Sequence, residues 1–583
     1  MELPGLARLA RSLATLLVVG LLAPVGARAA TPTTAATVPG SPVLVTSQTK
    51  PPTGFRLTAA EVERIAARVP TIRTTVRDHK GAYPAEYTKG PGQWQVSWFT
   101  PKGKEIAQVY IDDATGAVTQ AWTGFQVAWT MARGYSGAFG RRVNAWYVWI
   151  PLCVVFLVPF LPWRGWRRRR SWSLLHLDLA VLLAFSVSIA FFNHANLGLS
   201  VPLTYPCLVY LLVRMLALAF GRGRPSAPLR LAVPVPWLAV AIIFLVGFRV
   251  GLNVTNSNVI DVGYAGVIGA HKLVHGQNLY GNWPLDNPSG DTYGPVNYYA
   301  YVPAYAIFGW SGTWDDLPAA HAAAILFDLL TLLGLYFLGR RVRGPTLGIV
   351  LAYAWASYPF TLFVLSSNSN DSLVSLLVVV ALLVIALAPA RGVAAALAGL
   401  TKFAPLALGP LLMRGVGERP PRKRSLFAYV IAYALTAAVS MLPVLLDHNL
   451  SAFWHDTVAY QAGRAAPFSI WGLWGGLSFE QHIVEGAAAA LALAVALIPG
   501  RRTLVEVAAL GAAVIIAVQL SLTYWFYLYI VWFFPLVIVA VLGAYPSVED
   551  ELSEPGLEHL LDRDRAHRLD GPDQDAVQPG IVV

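Results

Sequence analysis

Asp261 stands where a long apolar run gives way to polar chain: Asn253-Val-Thr-Asn-Ser-Asn-Val-Ile precedes it and Val-Gly-Tyr264 follows. A carboxylate in that place has two uses. It can take the proton of an attacking hydroxyl, a poor nucleophile until that proton leaves, and a positioned base contributes roughly 10²–10⁴ in rate. It can also cap a helix, a role for which Asp is favoured. Cations able to meet an anionic leaving group are Arg249, Lys402 in Leu-Thr-Lys402-Phe-Ala-Pro405, and Arg464 in Tyr460-Gln-Ala-Gly-Arg464. A charge deep in an apolar span costs at least ~2.5–3.5 kcal/mol on insertion scales, so Lys402 needs a partner or a function. Asp328, mid-span, is the partner the sequence offers. Arg249 has the simpler option of reaching toward headgroups along its own stem.

The remaining polar candidates have plainer readings. Asp286 and Asp291 lie among Pro, Gly and Asn and read as turn residues. Asp315-Asp316 resembles half of an acidic metal pair, but it opens a helix, where carboxylates are favoured electrostatically. His271 and His275 have a metal-ligand spacing on one helix face with no third ligand at fixed distance, so no metal or other cofactor is expected. Asp112-Asp113 sits in a strand turn, Asp-Asp-Ala-Thr-Gly116. Cys153 and Cys207, the only cysteines, fall inside apolar stretches and form no disulfide framework or CxxC site.

The elements that must position these residues are set by composition. Of 583 residues, 56% are hydrophobic and 13% charged, about half the charged fraction of a soluble domain. The formal charge of +11 comes from arginines clustered between apolar spans, which is the pattern of membrane topology and not of a nucleic-acid surface. Apolar runs near 145–162, 174–193, 201–220, 232–252, 318–338, 346–365, 372–389, 426–446, 483–499, 504–520 and 525–544 predict about eleven crossings of a core roughly 30 Å thick. Segment 392–413 begins and ends beside arginines, so it predicts a hairpin of two half-helices broken around Thr401–Pro405. The alternation then places the arginine clusters in the cytoplasm and the loop 253–318 outside. That loop predicts two interfacial helices, Val259–Val274 and Val296–Phe308. Residues 1–29 read as a signal peptide or anchor, 30–54 as a disordered linker and 545–583 as a cytoplasmic acidic tail, largely disordered. Between them, 55–140 predicts a small extracytoplasmic α+β module, with a helix at Leu57–Val69 and strands at 94–98, 106–111 and 118–122. The expected fold class is an all-α polytopic membrane protein carrying that module.

Several short motifs add a resemblance. They are Asp261-Val-Gly-Tyr264 with Asn278-Leu-Tyr280, Tyr293-Gly-Pro-Val-Asn-Tyr298, Leu-Phe-Asp328-Leu-Leu, Asn368-Ser-Asn370-Asp371-Ser-Leu and the Lys402 segment. Over 232–544 the chain resembles the GT-C superfamily of membrane glycosyltransferases. Within it, the chain is most similar to the polyprenol-phosphate-mannose-dependent mannosyltransferases, glycosyltransferase family 87. The module at 55–140 resembles a PepSY domain, and the three spans at 145–220 fall outside both likenesses. The resemblance implies transfer of mannose, or another hexose or pentose, from a polyprenyl-phosphate donor to an acceptor hydroxyl. The acceptor is a glycolipid, polysaccharide or protein at the outer face of the plasma (inner) membrane. Asp261 is then the general base. Arg249, Lys402, Arg464, Tyr264, Tyr293, Asn370 and Trp471 are candidates for donor phosphate or sugar, with Phe468 and Trp471 suited to stacking on a sugar ring. The competing expectation is a transporter of a lipid-linked saccharide, which calls for inverted repeats that the sequence does not display.

Overall fold

A computed structural model describes residues 42–546, apart from 90–91, 104, 124–126, 128–140, 162–172, 195, 285–286, 288, 313, 315–316, 418–421 and 465. The signal segment, most of the acidic tail, Asp286 and Asp315-Asp316 lie outside the described residues.

The N-terminal part is an antiparallel meander, β1 (Val43–Leu44), β2 (Tyr83–Thr88), β3 (Gln93–Phe99), β4 (Glu105–Asp112) and β5 (Val118–Thr123), in sequence order across the sheet. Two helices pack on it, α1 (Ala59–Ala67) and α2 (Pro70–Asp78). Thr58 starts α1 because its hydroxyl and the Glu61 carboxylate cap each other's backbone N–H reciprocally. Trp94, Val96, Trp98, Val109 and Ile111 alternate onto one face and meet Ala59, Val62, Ala66 and Ile72. The expected linker is shorter than 30–54, since Val43 and Leu44 already pair with Thr88 and Tyr87. Asp112 does close a turn, accepting from Thr115. Asp113 is a tie: burial opposes its charge, but N–H donors from Leu57, Trp94 and Arg56 (2.7–3.0 Å) win and hold the carboxyl below its ordinary range.

The rest is helical. It comprises α3 (Trp146–Leu157), α4 (Leu174–Asn193), α5 (Leu197–Ala219), α6 (Val235–Thr255), α7 (Asp261–Val274), α8 (Pro295–Phe308), α9 (Pro318–Ser357), α10 (Pro359–Ser366), α11 (Asp371–Leu383), α12 (Ala388–Gly399), α13 (Lys423–Ser440), α14 (Ser478–Ala494), α15 (Leu504–Ser521) and α16 (Ile530–Gly543), with shorter turns between. Among the described residues, five of these, α4, α5, α6, α9 and α15, are long and apolar enough to cross a membrane; the eleven expected crossings are not matched. Prolines account for part of the difference. Tyr358, extended ahead of Pro359, divides the expected 346–365 span between α9 and α10. The 426–446 span breaks at Met441, where a short helix with Pro443 in its first turn takes over.

α9 is itself two arms. Its backbone leaves helical geometry at Arg343 and at Gly344 (φ 81°). Nine residues of unbroken helix would separate Gly339 from Gly348 by about 13 Å. Instead, a Cβ on Gly339 would stand 2.7 Å from the Gly348 backbone, so the chain doubles back. The break expected in 392–413 is present: α12 ends at Gly399, and a 3₁₀ turn (Ala404–Leu408) and a short helix (Gly409–Arg414) follow, leaving Lys402 between them.

The two ends of the bundle differ in chemistry. At one end, arginines donate to carbonyls that the helices leave unpaired: Arg341 to Leu383, Arg343 to Leu542 and Gly543, and Arg414 to Ala496, Leu497 and Gly500. Inside, Arg249 binds Asp328 through Nη2 (2.5 Å) and Nε (3.2 Å), and Trp355 donates to the same carboxylate. Asp328 therefore belongs to Arg249, not to Lys402 as the sequence suggested. A buried pair of this kind is destabilising when halved and close to neutral when replaced whole. Asp328→Ala should cost about 3–5 kcal/mol, and Arg249→Met with Asp328→Asn should recover most of it. Thermal unfolding in one detergent compares the three proteins, and equal losses in single and double variants would contradict the pairing.

Candidate functional site

At the end of the bundle opposite those arginine caps, two backbone segments lie side by side. Asn258 N–H donates to the Ser366 carbonyl (3.0 Å) and Ile260 N–H to that of Ser367 (3.3 Å). Asn253, near the end of α6, gives its amide to the Leu365 carbonyl and to Asn368 Oδ1, both at 2.7 Å. Asn368, whose φ of 49° is tolerable for Asn, returns its own amide to Ser257 Oγ and the Asn258 carbonyl. The apposition is tight enough that a Cβ on Gly263 would fall 2.1 Å from the Asn368 carbonyl oxygen. α7 and α11 start from these two segments, and each opens with a carboxylate, Asp261 and Asp371. First-turn carboxylates are favoured by the helix dipole.

α8 is fixed to the same place by Gly294, whose hydrogen faces the Leu400 carbonyl where a Cβ would come within 1.9 Å. Gly266 and Gly269 of α7 in turn admit the rings of Tyr301 and Tyr298. This brings Tyr293, just before α8, beside the break that carries Lys402. The Lys402 ammonium bonds Asp371 Oδ1 at 2.6 Å and lies over three rings, those of Trp532 (5.1 Å), Tyr529 (5.4 Å) and Tyr293 (5.6 Å). Arg464 rests on the face of Tyr524 at 3.7 Å, with Tyr460 at 5.6 Å.

Asp261 differs from Asp371 in being open to solvent while charged groups of three other segments, Arg464, Lys402 and Asp371, act on it. Its deep setting among protein groups pushes the carboxyl above its ordinary range; Arg464 first, then Lys402, oppose that rise, and Asp371 adds to it. Tyr293 feels Asp261, Tyr529, Arg464 and Asp371 in the same way. The result is an accessible carboxylate facing two cations, walled by Tyr293, Tyr524 and Tyr529, all half-buried. Chemically, such an arrangement can accept a proton at the carboxylate and hold an anion at the cations.

Of the residues singled out in the sequence, Asp261, Lys402, Arg464 and Tyr293 are brought together. The others are placed elsewhere. Arg249 is 1% exposed and bound to Asp328, Ala356 and Thr361. Tyr264 is buried against Trp314 and Trp310. Asn370 is buried with its amide on Asn297, and Trp471 donates to the Leu520 carbonyl. Asp291 accepts from Gly281 N–H, as a turn residue does. His271 and His275 stack on one another at 4.1 Å, and His271 bonds the Tyr305 hydroxyl. Ile260, not Asp261, is the cap of α7. The residues that sequence reading missed are Asp371, Tyr524, Tyr529 and Trp532. The last three stand in Thr523-Tyr-Trp-Phe-Tyr-Leu-Tyr-Ile-Val-Trp532, whose aromatic density is the signal, although as a span it is merely apolar.

No protein-family model, curated protein or solved structure matches the chain.

The apposition at Gly263 makes a direct demand. Gly263→Ala should lower stability by about 1–3 kcal/mol through overpacking, whereas Gly247→Ala, with nothing within 4 Å of the added methyl, should not. Comparable melting temperatures for the two variants would show that the segments are not held this closely.

Proposed function

We propose that the protein is a membrane-embedded glycosyltransferase that moves a sugar, with mannose the expected one, from a polyprenyl-phosphate donor to an acceptor hydroxyl. The observation carrying this reading is the accessible Asp261 carboxylate set opposite Arg464 and Lys402 within an aromatic wall. In this reading the acceptor oxygen attacks the anomeric carbon and loses its proton to Asp261. The bond from that carbon to the phosphate oxygen breaks, and its electron pair leaves with the lipid phosphate. The transfer is a single displacement with inversion. Arg464 and Lys402 stabilise the negative charge as it gathers on the phosphate, where preorganised cations act most strongly. Tyr293, Tyr524 and Tyr529 offer ring faces and edges to a sugar. The apolar helices keep a polyprenyl tail in its own solvent, and the motif likeness to the GT-C superfamily, family 87 in particular, points the same way. With the arginine-capped end in the cytoplasm, the site faces outward, as positive-inside asymmetry favours. The residues call for no metal in this chemistry. The N-terminal module, on this reading PepSY-like, lies on the site's side of the membrane.

Asp261→Asn should fold, bind donor and lose roughly 10²–10⁴ of its turnover, measured as label moving from radiolabelled polyprenyl-phosphate-mannose to an acceptor fraction. Undiminished transfer would remove Asp261 as the base. Donor binding without transfer from any of several polyprenyl-phosphate sugars would favour a lipid-linked saccharide transporter.

The pH dependence has a fixed sign. The base works deprotonated, so kcat/KM falls as pH drops through the Asp261 pKa, which burial sets above the ordinary carboxylate value. Arg464→Gln removes the largest charge opposing that rise, so the acid limb should move to higher pH. An acid limb at the same pH in both proteins would separate Arg464 from the base.

A further inference from the structure

Among the described residues three ion pairs are buried on both sides, and of these only the one made by Lys402 acts on Asp261. Arg214 gives Nε to both oxygens of Asp178 at 3.0 Å and Nη1 to the Gly223 carbonyl. Arg249 gives four hydrogen bonds, to Asp328 twice, Ala356 and Thr361. Lys402 gives one, to Asp371. An ammonium has three N–H donors, and the rings of Tyr293, Tyr529 and Trp532 attract its charge without offering a lone pair in line. Two donors therefore remain. They belong to the cation that acts on the exposed Asp261 and whose ring neighbours Tyr293 and Tyr529, half-buried, feel the same carboxylate. An oxygen acceptor reaching the Asp261 side of the rings would complete them.

Asp371 is fixed by contrast. Its Oδ1 also accepts from Trp532 Nε1 (2.8 Å), its Oδ2 from Ser369 Oγ (2.8 Å), and it is fully buried in the first turn of α11. With three hydrogen bonds accepted and no exposure to solvent, it is not placed to take a substrate proton. We infer that Asp371 is a positioning residue: it holds the Lys402 ammonium charged and directed between Tyr293 and Tyr529, so that the remaining N–H groups take an anionic phosphate oxygen of the ligand. This rests on the reading of the ligand as a lipid phosphate, and Lys402 acts on the ligand whereas Asp371 acts through Lys402.

The test measures binding of long-chain polyprenyl phosphate and of uncharged polyprenol to the full-length protein in detergent, alongside its melting temperature. Lys402→Met with Asp371→Asn removes both charges together, and a buried pair replaced whole leaves stability close to unchanged. A merely structural pair then predicts normal melting and normal binding. The inference predicts normal melting with a loss of about 10- to 100-fold in the preference for phosphate over alcohol, the factor carried by a charge-assisted hydrogen bond. Asp371→Glu, which keeps the charge, should restore most of that preference, and Arg249→Met with Asp328→Asn should leave it intact. Should the first double variant not fold, Lys402→Gln carries the same requirement, since Asp371 keeps Trp532 and Ser369. A preference unchanged in these variants, or none in the wild type, overturns the inference. Sugar transfer is scored separately: no transfer alongside an intact, Lys402-dependent phosphate preference defeats the transferase reading and leaves the role of Asp371 standing.

Discussion

The arrangement at the site end depends on one close approach, that of the 256–263 segment to the 365–371 segment. Backbone N–H groups of Asn258 and Ile260, the paired amides of Asn253 and Asn368, and the missing side chain at Gly263 all serve that contact. Non-helical backbone at bundle depth is tolerated only where its polar groups are satisfied internally. Here two irregular segments satisfy one another and so need neither water nor further helix. Because α7 and α11 both start from this junction, the position of either carboxylate is set by the other's segment. A shift of one helix start would also move Lys402, through its bond to Asp371.

Charge placement follows the same economy of partners. Ionised groups inside apolar surroundings persist when paired and hydrogen-bonded. The Arg214–Asp178 and Arg249–Asp328 pairs meet that condition, with Tyr210, Trp355 and Thr361 adding further hydrogen bonds. At the opposite end of the bundle, arginines reach helix-terminal carbonyls and so close helix ends. At the site end, by contrast, Lys402 and Arg464 stand around a carboxylate, Asp261, that is open to solvent. That asymmetry, more than any single residue, distinguishes the site from the rest of the interior.

Much of this was legible in the sequence because it depends on local pattern. The helix at 174–193, those expected at Leu57–Val69 and Val296–Phe308, and the break around Thr401–Pro405 follow from apolar runs, helical spacing and prolines. Pairing was not legible. Asp328 and Lys402 are each mid-apolar charges, and nothing in their spacing says that Arg249, 79 residues before Asp328, takes the first while Asp371 takes the second. Tyr524, Tyr529 and Trp532 were hidden for a related reason: an aromatic in an apolar run reads as lipid-facing or core until a cation is seen above its ring. The number of crossings was misread where an apolar run was taken for a single helix, since an extended residue before proline divides such a run without changing its hydropathy; the reversal at Arg343–Gly344, by contrast, falls between the expected spans 318–338 and 346–365.

Asp261 and Asp371 show how far environment, and not residue type, decides chemistry. Both are the first residue of a helix, both feel the same helix-end field, and they are linked through one backbone junction. Asp371 is fully buried and accepts from an ammonium, an indole and a hydroxyl, so its charge is already answered. Asp261 is influenced by cations it does not bond and is reached by solvent. A proton acceptor needs a lone pair in reach of substrate and an affinity for protons above that of an ordinary exposed carboxylate. Burial supplies the affinity, access supplies the reach, and of the two carboxylates only Asp261 has both.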